Sequence, residues 1–320
     1  MLGRVLWVTG WVLLATMVVH LVALAVTGGP VTGPVSLRKP ATFAETGWLV
    51  CWSVALILPL LRVRAWQAAV IGASAVLFGV GETAIIGVQA WRGVPSHYNF
   101  STPLDAALMR GGAAGTAGIF LIGVIVMLVA ALRTPATTSR TITSRAITSM
   151  TPSVRLGVVA GTLVLLAGCV IGFTMVSNNS GVFQGAFGTG FGDRTASYLG
   201  PDPATVGPEY PLIRPDTAGG DLVLPHAIGV HGLILLAVPA ILLARTATAH
   251  QTRIVAVATA SVGTAMAVLI VHALRQLPLH ALPPAVLALL ALCAIAYTAT
   301  LLGIAVAVGT RWRARTRAAG

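Results

Sequence analysis

Glu82, His97, Asp105 and Arg110 fall in one stretch, GETAIIGVQAWRGVPSHYNFSTPLDAALMRGG from Gly81 to Gly112, inside or beside two strongly apolar segments. An unpaired ionised side chain in hydrocarbon costs at least about 3 kcal/mol, so a chain that keeps an acid and an arginine there pairs them or uses them. Asn99, between His97 and Asp105, adds an amide to the set. Further along, the phrase DLVLPHAIGVHG carries His226 and His231. Five residues apart on a regular helix sets them about 140° from one another, so they cannot both face one metal as an i,i+4 pair does. Together these residues predict a polar site that binds a divalent metal, a haem or a small polar ligand through His97, His231 and Glu82. A b-type haem held from two helices draws on His20, His231 and His272, since imidazole suits iron. The rival chemistry is a proton- or ion-coupled transporter that uses Glu82 and Arg110 as a switchable pair across neighbouring helices, brought close by Gly111, Gly112, Gly115 and Gly118. A third reading is a structural helper of another membrane complex.

The elements that position these residues follow from composition. The chain is 56 % hydrophobic and 9 % charged, with a mean hydropathy of +0.90, far from the soluble average of about 25 % charged residues. A spanning helix needs about 20 apolar residues. On that ruler the chain reads as an all-α polytopic membrane helix bundle with eight transmembrane helices, near 5–26, 44–61, 66–90, 105–132, 154–176, 225–244, 254–275 and 285–309. Residues 1–133 form a first four-helix half and 154–320 a second. The Ser/Thr/Arg-rich segment 134–153 is a cytoplasmic linker, and 177–223 is a long outer loop. Phe183, Phe187 and Phe191 in that loop would share one face of a helix.

The basic residues set the orientation. With both termini cytoplasmic, thirteen arginines lie inside, while Arg38, Lys39, Arg92, Arg194 and Arg214 lie outside, as the positive-inside rule requires. The net charge of +12 is therefore a membrane signature rather than a nucleic-acid one, and the partner it implies is the lipid bilayer. That topology places six of the seven histidines, with Glu45, Glu82, Asp105, Arg110 and Arg275, in the outer half or just beyond it. Trp48, Trp52, Trp66, Trp91 and Trp312 fall near span ends, as interfacial anchors do. Cys51, Cys169 and Cys293 lie in three different apolar runs without CxxC or zinc spacing, which removes a disulfide framework, a c-type haem and a cysteine zinc site. The alanine-, valine- and arginine-rich composition points to a bacterial plasma membrane.

Two resemblances accompany this reading. The order Ser96, His97, Asp105, His226, His231 distantly resembles the site of seven-span zinc-dependent membrane hydrolases of the alkaline ceramidase type. That family, however, spaces its late histidines four apart and has one span fewer. The phrases RKPATF (38–43), ETAIIGVQAWRGVPSHYN (82–99) and GGDLVLPHAIGVHGL (219–233) resemble a family of uncharacterised bacterial multi-pass membrane proteins. The resemblance implies no activity, but it marks Glu82, Gln89, Arg92, His97, Asn99, Asp221, His226 and His231. The chain departs from that pattern after His231, where Gly232-Leu233-Ile234 replaces a more polar phrase with glutamine.

Overall fold

In the computed structural model, which describes residues 1–31, 35–97, 99–137, 149–178, 219–246 and 248–319, each long apolar run becomes a helix, and no strand forms among the described residues. In chain order the helices are α1 (Leu2–Thr27), α2 (Arg38–Ile57, prolonged by a 3-10 turn over Leu58–Leu60), α3 (Ala65–Trp91), α4 (Pro103–Arg133), α5 (Pro152–Asn178), α6 (Val223–Val230), α7 (Leu233–Ala244), α8 (Gln251–Leu274) and α9 (Pro284–Ala319). Seven of them are long and apolar enough to cross a membrane. The short helices α6 and α7 make a further candidate span, bent by 52° at His231–Gly232.

Local sequence sets the ends. Prolines open α4, α5 and α9, where the missing N–H removes nothing the helix would have used. Ahead of α4, the Thr102 hydroxyl accepts from the Asp105 amide at 3.1 Å, which satisfies a first-turn donor. At the far end of α1, Gly28 takes the left-handed conformation (φ 63°) and its amide bonds Leu24 O at 3.1 Å, a stop that residues with a Cβ disfavour.

One apolar cluster runs through both halves of the chain, from Leu6 and Leu13 on α1 through Val54, Ile71 and Met127 to Val158, Leu165, Leu233 and Ile241. The helices come closest where glycines face each other. A Cβ on Gly47 of α2 would lie 2.7 Å from Gly79 Cα on α3. A Cβ on Gly168 of α5 would lie 2.6 Å from Gly229 C on α6, and one on Gly161 would lie 2.8 Å from Gly232 O. Such contacts let backbones pack where no water-driven burial is available.

Two expectations change here. Trp48 and Trp52 pack against other rings of the bundle rather than standing alone at span ends. Trp52 lies over Gly10, with ring centroids 4.9 Å from Trp7, 4.9 Å from Trp11 and 5.3 Å from Trp48, so these rings lock α1 to α2 within the bundle. Among the glycines expected to bring α3 and α4 together, Gly112 meets Ile85, whereas Gly111 and Gly118 face open space and Gly115 touches only its own helix. Residues 138–148 of the linker and 179–218 of the long loop, including the three phenylalanines, lie outside the described residues.

Candidate functional site

The crossing of Gly47 and Gly79 gives a common origin for depth. Glu45 lies two residues from Gly47 and Glu82 three residues from Gly79, both toward the end of the bundle that carries Asp105. At 1.5 Å per residue these are rises of about 3 and 4.5 Å. The two acids therefore share one level, about 14 Å below the end of α3 at Trp91.

Glu82 is 3 % exposed and sits where Gly81 packs against Thr116 of α4. The Thr116 hydroxyl donates to Glu82 Oε1 at 2.6 Å. It also lies within reach of two carbonyls of its own helix, Gly112 O at 2.9 Å and Ala113 O at 3.1 Å. Among the described residues Glu82 Oε2 has no hydrogen-bond partner, and neither has the adjoining Thr83 hydroxyl. Lys39, buried in the first turn of α2, acts on the carboxylate electrostatically.

Arg110 is not the partner of Glu82. Residues Leu108–Ala113 form a π-helical turn, and Gly112 is the position that faces Ile85 of α3. Arg110, two residues earlier, is carried round to the exposed side, where its guanidinium lies 5.2 Å from the centre of the Phe100 ring. The expected ion pair fails because the wide turn resets which residues face α3.

Asp105 is claimed instead by Arg92. Arg92 Nη1 donates to Asp105 Oδ1 at 2.7 Å, and Gln89 Nε2 donates to the same oxygen at 2.8 Å. Thr102 donates to Oδ2 at 2.7 Å, while Arg92 also donates to Gln89 Oε1. This closed network ties the top of α3 to the start of α4, about 10 Å above Glu82. Asn99 serves the loop between them: its amide donates to Pro95 O at 3.1 Å and its carbonyl accepts from the Ser101 amide at 3.1 Å. His97 Nδ1 lies 3.1 Å from the Ser96 hydroxyl, and its ring centre lies 5.7 Å from that of Phe43 on α2.

His226 and His231 face different helices. His226 Nδ1 bonds Gly168 O of α5 at 2.8 Å, and its ring fills the space beside Gly172. His231, at the break between α6 and α7, donates from Nδ1 to Ala227 O at 2.7 Å and presents Nε2 to Glu45 of α2 at 3.5 Å. Both rings are half-buried, although a regular helix would set His231 about 7.5 Å deeper than His226. The second π-helical turn, Leu233–Ala237, follows at once.

These contacts bear on the metal and haem readings. In His20, Nε2 accepts from the Trp91 indole at 3.3 Å and Nδ1 bonds Thr16 O at 2.9 Å. His272 Nε2 bonds Pro278 O at 2.9 Å. The Nε2 of His20, His231 and His272 is thus engaged in each haem candidate, and among the described residues no three His, Cys, Asp or Glu side chains form a metal-binding group. Asp221 accepts from the Val223 amide at 2.6 Å and so starts α6.

Thr116 and Thr102 were not singled out from sequence, because a threonine in an apolar or loop run gives no signal of what it will face. Glu45 stood out only as one of several groups at the same side. No protein-family model matches the chain, and no curated protein or solved structure does either.

Proposed function

We propose that the chain is an eight-span protein of the bacterial plasma membrane with both termini cytoplasmic, and that its outer half holds a proton-accepting site on Glu82, as in a proton-coupled transporter. The observation that carries this reading is the bare Oε2 of Glu82 beside a hydroxyl with a choice of partners. An unpaired buried carboxylate costs several kcal/mol, so a proton on the carboxyl group, or a cation beside it, relieves the ionised form. Thr116 serves both states of the acid. It donates to the carboxylate when Glu82 is ionised; when Glu82 is protonated, the hydroxyl turns its proton to Gly112 O and accepts from the acid. At the same level the Glu45–His231 pair bridges α2 to a broken span, the kind of element around which transporters rearrange. The bent α6–α7 unit, counted as one crossing, supplies the eighth span.

The test is modification of the purified chain by dicyclohexylcarbodiimide, which attacks protonated carboxyls in apolar surroundings, with the modified residue mapped by mass spectrometry. Modification at Glu82 that quickens as pH falls, and that vanishes in Glu82→Gln, is the expected result. Label on Glu45 alone, at every pH, overturns the assignment.

A further inference from the structure

The opposite end of the bundle carries a second candidate site. A cavity of about 470 Å³ opens where the α2–α3 turn meets the end of α4, lined by Arg62, Arg64, Trp66, Gln67 and Arg133. The backbone builds it: the Arg62 amide donates to the Thr134 hydroxyl at 2.9 Å, fixing the turn against the last residues of α4. All three arginines are exposed side chains lining one opening, and among the described residues no carboxylate lines it. Among the described residues none of the three is in an ion pair.

Neither helix end consumes this charge. The carbonyls at the end of α4 already have a cation, because Arg155 donates to Leu132 O at 2.9 Å and to Thr134 O at 3.2 Å. At the start of α3 the N-cap is Arg64, a side chain with no acceptor to offer the first-turn amides. The position usually holds Ser, Thr, Asp or Asn. Gln67 turns its oxygen back to the Arg64 amide at 2.8 Å, so it too leaves the other first-turn donors to an outside acceptor. The positive end of a 27-residue helix therefore points into a space already lined by three arginines, and both favour an oxyanion.

We infer that this cavity binds a phosphate oxyanion, supplied by the headgroup of an anionic phospholipid. Its place at the ends of apolar helices puts it at headgroup level, with the exposed Trp66 ring against the lipid interface. Basic pockets between spanning helices bind anionic headgroups in this way. A cavity holding the volume of about fifteen waters admits the phosphate together with the glycerol next to it.

The experiment uses the full chain in nanodiscs of phosphatidylcholine with or without phosphatidylglycerol, followed by native mass spectrometry. Wild type is expected to retain a phosphatidylglycerol that the variant Arg62→Gln/Arg64→Gln/Arg133→Gln loses, while Arg311→Gln/Arg313→Gln, which removes charge elsewhere at the same end, retains it. If the triple variant does not accumulate, Arg64→Gln alone, at the exposed N-cap, makes the comparison. Equal loss from both charge variants, or no retention by wild type, overturns the lipid site. A rise in melting temperature with inorganic phosphate in phosphatidylcholine discs, absent from the triple variant and unaccompanied by lipid retention, assigns the cavity to a soluble phosphate instead.

Discussion

With 2 % of its side chain exposed, Asp105 cannot exchange its donors for water, whereas Arg92, 35 % exposed, can turn outward. The two ends of this ion pair are therefore unequal. Asp105→Ala frees a guanidinium that can turn to water and orphans only the Gln89 amide, and should cost about 1–2 kcal/mol, as an unsatisfied buried polar group does. Arg92→Ala leaves the buried Asp105 carboxylate with only the neutral donors Gln89 and Thr102 and should cost more, about 3 kcal/mol, the low end for a buried charge left without its partner. Thermal melts of the two variants in detergent check the order, and equal losses would remove the burial argument. Sequence had placed Asp105 near the membrane surface and marked Gln89 and Arg92 through a resemblance, but the closure of all three rests on side-chain directions that spacing does not fix. The Glu82–Arg110 pair illustrates the same point. Counting at about 1.5 Å per residue sets the depth of each residue on its helix, yet the π turn over Leu108–Ala113 changes the angle at which Arg110 leaves the helix.

Among the helices, the contact between α5 and α6 is the tightest test of backbone packing. Gly168 and Gly229 approach so closely that a methyl on either meets backbone, not a movable side chain. Replacing Gly in a helix interior by Ala gains about 1 kcal/mol from propensity, but here the clash should outweigh it by the 1–3 kcal/mol typical of overpacking. Gly168→Ala should therefore melt earlier than wild type. Gly263→Ala on α8, where a Cβ meets nothing within 4 Å, should melt at the same temperature or higher. A stable Gly168→Ala would mean that α5 and α6 sit further apart than described. The apolar runs that became helices were legible because a span needs length and hydropathy alone. That His226 and His231 meet different helices, α5 and α2, is what a five-residue spacing leads one to expect. The break at His231–Gly232 was not legible, because glycines at helix crossings and glycines at a bend look alike in sequence.

At the scale of the molecule, helix α9 sets the strongest boundary condition. Only 6 % of its apolar window is buried in the bundle, and an apolar helix with so little internal cover needs a lipid or protein surface around it. If every helix from α1 to α5 crosses, with α6–α7 as one bent crossing and α8 and α9 following, Ser101 before α4 and Ala249 before α8 lie on opposite faces. The positive-inside rule predicts that the side of Ala249 is the cytoplasmic one, since Arg62, Arg64, Arg133 and Arg155 share it. Ser101 and Ala249 are both exposed, so a single cysteine at either, in a background with Cys51, Cys169 and Cys293 replaced, is open to reagent. An impermeant maleimide applied to whole cells should label Ser101→Cys, and should label Ala249→Cys only after the cells are permeabilised. Labelling of both in intact cells would mean that α6–α7 enters and leaves on one side as a re-entrant loop, leaving seven crossings. Labelling of Ala249→Cys alone would invert the bundle and turn Glu82 toward the cytoplasm.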